Sequence, residues 1–303
     1  MELLRSIPLL SDLLLVESNG MSFLDALPLL QNGILAGALV ALLSAYIGIY
    51  IILKRIVFVS AALAQVSSLG VACALVAASV LGHRGHDLRS QFLSGAGVAS
   101  LLFAIVAAML LARQVSERRV TRESVLGIGY ALPAGLTLLI LDRLGSETHV
   151  IEDILFGNTV FVSSTQVAVL ALTTAAVLVV HALFRKEFVF TALDPETATA
   201  CGLRTRLFNR LLFLTIAVTI SVSIMSVGAL PVFAFMVIPA TAALTLARGL
   251  TGAFLLSVTF SVAAALAGFY LSFVFSLPTG PAMLATVAVF LLPGTTRALL
   301  QRR

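Results

Sequence analysis

Ser60, Gln65, Ser67, Ser68 and Cys73 fall within one apolar run of this 303-residue chain. Uncharged groups of this kind hydrogen-bond between helices in lipid or offer oxygens along a hydrated path. Both readings stand, with interhelical bonding the more economical. Met225 and Pro239, in a later apolar run, are the other candidates for lining a path. His83, His86 and Asp87 offer two imidazoles and a carboxylate to a divalent cation, but Arg84 and Arg89 oppose it, so a solvated loop is the simpler reading. Of four histidines only His181 lies in an apolar run, near its end, where a packed or snorkelling side chain is expected rather than a catalyst.

Several chemistries are excluded. The chain has no GxxxxGK[ST], HExxH or GxSxG, and its only lysines are Lys54 and Lys186, so it builds no phosphate-cradling loop of its own. No nucleophile and base can be named together, which disfavours a hydrolase. Cys73 and Cys201 form neither a CxxC nor a metal-ligand spacing, and read as small buried hydrophobes.

The elements that must carry these residues are membrane helices. No ionisable side chain occurs from Leu211 to Ala247 and no acidic one after Glu196; 60% of residues are apolar and 11% charged. Crossing a hydrocarbon core takes about 20 apolar residues, so Leu211–Ala247 is long enough to cross twice. The expected fold is all-α, a polytopic helical bundle with eight to nine crossings. They are Leu29–Leu53, Phe58–Leu81, Phe92–Ala112, Val125–Leu141, Gln166–Phe184, Leu211–Val227, Ala229–Ala247, Gly252–Phe275 and Ala282–Thr296. Gly228, Pro231 and Pro239 are the natural breakers of the long run, either kinking a packed helix or opening a path. Gly33 and Gly37 in the first helix read as close packing.

Basic residues orient the bundle. One set of connections holds Lys54, Arg55, Arg113, Arg118, Arg119, Arg122, Arg185, Lys186, Arg204, Arg206, Arg210 and Arg248, with Arg297, Arg302 and Arg303 at the end of the chain; the other holds Arg5, Arg84, Arg89 and Arg143. Fifteen against four places the C-terminus in the cytoplasm, and nine crossings place the N-terminus outside. The net charge of +5 therefore reflects topology, with no basic, aromatic-interleaved face for nucleic acid. Glu2, Arg5, Asp12 and Glu17 interrupt any secretory signal core, so residues 1–28 read as an extracytoplasmic or interfacial segment and 29–303 as the membrane domain.

Between Arg185 and Arg210 lies the largest stretch outside the apolar runs. Asp194 and Pro195 make a helix start, Glu196 favours the positive end of its dipole, and Gly202 stops it. The helix Thr197–Cys201 would present Ala198, Ala200 and Cys201 as a low knob for a partner's groove.

These segments resemble the membrane subunits of the zinc/manganese/iron class of bacterial ABC uptake transporters, from about Gln31 to Leu300. DPETATACGL (Asp194–Leu203) is similar to that family's DPExAxAxGL coupling segment, and VGALPVFAFMVIPATAALTLA (Val227–Ala247) to its VGxLLVxALLxxPAxxA run. LFGN at Leu155–Asn158, ESVLGI at Glu123–Ile128 and LPTGPA at Leu277–Ala282 agree in order and spacing. The resemblance implies a permease of a bacterial inner membrane, without enzymatic activity or cofactor of its own. ATP and Mg would be held by separate cytoplasmic ATPase subunits docking on Asp194, Pro195, Glu196, Ala198, Ala200 and Gly202. A second permease copy or paralogue and an extracytoplasmic solute-binding protein complete the expected assembly.

One departure bears on cargo. The family reads D-x-L-[SA]-H-[AS] entering its second helix, residues associated with metal passage; here Ala61 replaces the carboxylate and Gln65 the imidazole. No metal site is expected on this chain as a result. The cargo is then a metal chelate or other neutral species, or a paired permease retains the Asp and His, or passage needs no tight site in the helices. A gradient-driven carrier is the alternative class, disfavoured because no acidic residue lies inside the apolar runs. A regulatory protein derived from the permease family is the other.

Overall fold

The computed structural model describes residues 17–18, 21–80, 95–113, 121–143, 157, 159, 162–292 and 294. Apart from a two-residue antiparallel ribbon, Glu17–Ser18 with Met21–Ser22, the regular structure among them is helical. In chain order the helices are α1 (Phe23–Leu53), α2 (Val57–Val80), α3 (Gly95–Leu111), α4 (Arg122–Arg143), α5 (Ser164–Leu183), α6 (Arg185–Leu193), α7 (Pro195–Ala200), α8 (Thr205–Val227), α9 (Ala229–Leu246), α10 (Leu250–Phe275) and α11 (Thr279–Val289). Each expected crossing corresponds to a helix. Seven are long and apolar enough to span a membrane, while α3 and α11 are shorter apolar helices over the described residues.

Large apolar side chains face outward as well as inward. Leu102 and Val106 of α3, Ile128, Leu132 and Leu139 of α4, and Leu172 and Leu183 of α5 are exposed. Water would penalise this surface by roughly 25 cal/mol per Å², whereas lipid tails do not. Inside, small residues let the backbones meet. A Cβ at Gly48 of α1 would run into the Met236 carbonyl of α9, and one at Gly70 of α2 would press on Ala99 and Ser100 of α3. Serine hydroxyls add short ties, Ser257 of α10 donating to the Ala45 carbonyl (3.0 Å) and Ser261 to that of Ala41 (2.9 Å). The result is two packed groups: α1 with α9, α10 and α11, and α2 with α3, α4 and α8.

Two expectations need correction. The first helix begins at Phe23 rather than Leu29, so residues 23–28 belong to it; Phe23 packs edge-on to Tyr270 and Phe273 of α10 and anchors the earlier turn. Of the three breakers only Gly228 interrupts the long run, at φ 89°; Pro231 lies in the first turn of α9 and Pro239 inside that helix. Gly33 and Gly37 are sites of close packing, as expected: Gly33 approaches the Thr159 carbonyl and Phe269 of α10, and Gly37 the Met283 side chain of α11. The interfacial reading of residues 1–16, the loop Gly82–Asp87 and most of LFGN lie outside the described residues.

Candidate functional site

The segment between α5 and α8 is built from local chemistry. Asp194 ends α6 and caps α7: the Thr197 backbone N–H donates to its Oδ1 (3.0 Å) and the Thr197 hydroxyl donates to its Oδ2. These donors favour the charged form and hold the Asp194 carboxyl below its ordinary pKa. Pro195 takes the first helical position, where a missing N–H costs nothing. At the other end Gly202 adopts φ 83°, its N–H donating to the Thr199 carbonyl (3.0 Å) and that of Leu203 to the Ala198 carbonyl (3.0 Å). This pair of bonds is the Schellman closure, which satisfies carbonyls that a helix end otherwise leaves open.

Asp194, Pro195, Glu196, Ala200, Cys201 and Gly202 are exposed. Ala198 is not: it is fully buried where α7 packs on α6 and α8, so it seats the short helix on its own chain instead of presenting it. The preceding helix α6, on which α7 rests, is fastened to the bundle by Lys54 Nζ, which donates to the Thr191 carbonyl (3.4 Å), and by Arg185, whose Nη2 donates to Thr251 Oγ1 (2.8 Å).

The polar residues of α2 divide into two kinds. Ser60 and Ser68 return their hydroxyls to the Val57 and Ala64 carbonyls (2.7 and 3.0 Å) on their own helix. Ser67 instead joins a chain of buried hydroxyls, with Ser67 Oγ to Ser100 Oγ 2.7 Å and Ser100 Oγ to Ser221 Oγ 2.9 Å, binding α2, α3 and α8. Interhelical bonding is therefore what Ser67 does. Gln65 is buried and its Oε1 lacks a partner. Met225, half-buried one turn after Ser221, packs against a small cluster of Val71, Ala72, Ala96 and Leu141, and Pro239 is buried in α9. Cys73 is half-buried and Cys201 exposed, so the second is not the buried hydrophobe expected.

Sequence reasoning missed a second feature of α8. Thr219, Ser223 and Ser226 recur at four- and three-residue spacing, are buried, and have no hydrogen-bond partner for their hydroxyls. That spacing was visible in the sequence as a polar stripe on an apolar helix. No group of three or more His, Cys, Asp or Glu residues that could hold a metal ion occurs among the described residues.

Comparison with known proteins places this architecture. The family model "ABC 3 transport family" matches residues 26–297. A manganese transport system membrane protein, MntC, of Listeria innocua is 28% identical over 264 residues, covering 86% of this chain and 89% of that protein. The chelated iron transport system membrane protein YfeD of Yersinia pestis is 25% identical over 265 residues, covering 88% and 84%. Among solved structures, PsaBC from Streptococcus pneumoniae in complex with Fab has the same fold, with a TM-score of 0.76, 24% identity and coverage of 90% of this chain and 94% of that one. With the family match spanning nearly the whole helical bundle and the capped segment, the chain belongs to the ABC 3 transport family.

Proposed function

We propose that this multi-pass protein of the bacterial inner membrane is the permease subunit of an ATP-binding-cassette importer, carrying a divalent metal or a metal complex inward. The capped segment Asp194–Leu203 carries the reading. It is a short helix closed at both ends and packed on α6 and α8, a firm surface against which a partner can push. The chain supplies no phosphate-cradling loop, so ATP and Mg sit on separate ATPase subunits that meet Asp194, Pro195, Glu196, Ala200 and Gly202. Nine crossings put the N-terminus outside, toward a solute-binding protein, and residues 185–210 with the C-terminus inside; eight crossings follow if α3 or α11 does not traverse. A second permease copy or paralogue would line the path opposite this one, and the exposed Gly127, Ala131 and Gly135 of α4 suit a close helix approach.

Manganese and chelated iron are the cargoes named for the relatives above. The neutral Gln65, with Ala61 in place of a carboxylate, favours a chelate or a paired permease that retains the ligands over a bare ion held by this chain. The deciding experiment is uptake into vesicles reconstituted with the cognate ATPase and binding protein. Uptake that proceeds equally with a hydrolysis-dead ATPase excludes the importer.

A further inference from the structure

His181 is a wholly buried ring that the transport reading leaves without a task. It lies on α5, two residues before the helix ends, and touches three other elements. Its Nε2 is 3.0 Å from Thr215 Oγ1 of α8, and its ring stacks on Phe188 of α6 at 4.4 Å and 12°. Tyr46 and Tyr50 of α1 close the remaining sides at 5.8 and 4.9 Å between ring centres. The Thr215 hydroxyl donates to the Leu212 carbonyl (2.9 Å). A threonine has one hydroxyl hydrogen, so toward His181 it accepts. Nε2 therefore carries the ring proton and Nδ1 is the bare nitrogen, in accord with its lack of a partner.

A ring clamped this way resists relative movement in two directions. Sliding α8 along α5 breaks the Nε2–H···Oγ1 bond in a medium with no water to replace it. Lifting α6 breaks a face-to-face stack whose members are both fully buried. Since α6 and α7 bridge α5 and α8, any push on α7 reaches both helices, and without a tie they would splay. We propose that His181 is a positioning residue that locks α5, α6 and α8 into one moving unit, so that displacement of the capped segment becomes joint movement of two membrane helices. This rests on the permease reading for its purpose, though the lock itself is a property of the chain.

The test uses the full-length permease in lipid, alone and with its ATPase, in a Cys73→Ala, Cys201→Ala background. Spin labels at Leu172→Cys on α5 and Leu207→Cys on α8, both exposed positions, report the distance between the two helices. The expected result is one narrow distance, unchanged between the nucleotide-free and ATP–vanadate-trapped complexes. Thr215→Val keeps the side-chain shape but removes the acceptor, and should raise the unlocked population roughly fivefold, the worth of one hydrogen bond, broadening the distance. His181→Leu should do the same, and both should hydrolyse ATP with less uptake of manganese-54 per ATP. His181→Gln, whose amide can still donate to Thr215, should restore the narrow distance. The lock is overturned if the wild-type distance shifts on trapping, if Thr215→Val keeps the wild-type width, or if His181→Gln is as broad as His181→Leu. Thr215→Val decides the matter alone where His181→Leu fails to insert. A permease that leaves its ATPase unstimulated refutes the transport reading instead, and the widths measured without nucleotide still judge the lock.

Discussion

Replacing Gly202 with valine isolates one physical cost. A Cβ at this position meets no atom within 4 Å, so crowding contributes nothing and the whole penalty is conformational. The backbone sits at φ 83°, where an L-residue costs about 1–2 kcal/mol and a β-branched one lies at or beyond the upper end. A helix of six residues has no stability of its own; its two ends are held by the Asp194 cap, worth about 1 kcal/mol, and by the Gly202 closure. A loss of about 2 kcal/mol shifts the ratio of closed to frayed segment roughly 30-fold. Alanine, at about 1 kcal/mol, shifts it roughly fivefold, and asparagine, which tolerates this region, shifts it least. Amide exchange at Leu203, whose N–H bonds the Ala198 carbonyl, reads the ratio directly in the order Val, Ala, Asn, Gly. ATP hydrolysis should lose its coupling to uptake in the same order. Wild-type exchange at Leu203 in Gly202→Val would refute the strain argument; wild-type coupling with fast exchange would refute the docking role.

Gly157→Ala should be far more damaging, because its Cβ would overlap the Val227 carbonyl group and Gly228 nitrogen as well as facing φ 76°; a cost above about 3 kcal/mol should appear as a large drop in the melting midpoint in detergent, and an unchanged midpoint contradicts the contact. Ser100→Ala breaks both links of the Ser67–Ser100–Ser221 chain and should destabilise the bundle by about 1 kcal/mol, about twice the effect of Ser221→Ala, as judged by unfolding in mixed micelles. Because the Asp194 pKa is lowered in the folded segment, its cap is fully present above the ordinary carboxylate range and is lost as pH falls through the lowered value. Protection of the Thr197 amide, corrected for intrinsic exchange, should therefore fall in acid for the wild type and stay level for Asp194→Asn. Ala61→Asp with Gln65→His places a carboxylate and an imidazole one helical turn apart and should confer or tighten Mn²⁺ binding by the full complex, measured by isothermal titration; no change would show that this turn does not face the cargo.

The nine apolar helices among the described residues were legible because lipid imposes a length and an apolarity that no local sequence choice can disguise. The ends of α7 were legible for the opposite reason: Asp194, Pro195 and Gly202 act on their own backbone within a few residues. Ala198 was misjudged because an alanine carries no sign of which side of a two-turn helix will face its own chain; the packing of α7 on α6 and α8 decided that. Ser67 and Ser221 could be suspected as helix ties, but their junction through Ser100 joins residues 121 apart in the chain and cannot be read from spacing. His181 was expected to be packed, and it is; its stack on Phe188 and bond to Thr215 emerge only when three helices converge. Gly48, where α1 meets the Met236 carbonyl of α9, carries no flanking pattern that distinguishes it from other glycines.

The link between α8 and α9 consists of Gly228 alone. During synthesis the two segments emerge from the ribosome as a continuous apolar stretch without a hydrophilic loop. Nothing charged at their turn has to be dragged through the bilayer, so the second crossing adds no polar loop to be translocated. Biogenesis of this part of the molecule should consequently be insensitive to the membrane potential and to translocation machinery that handles polar loops.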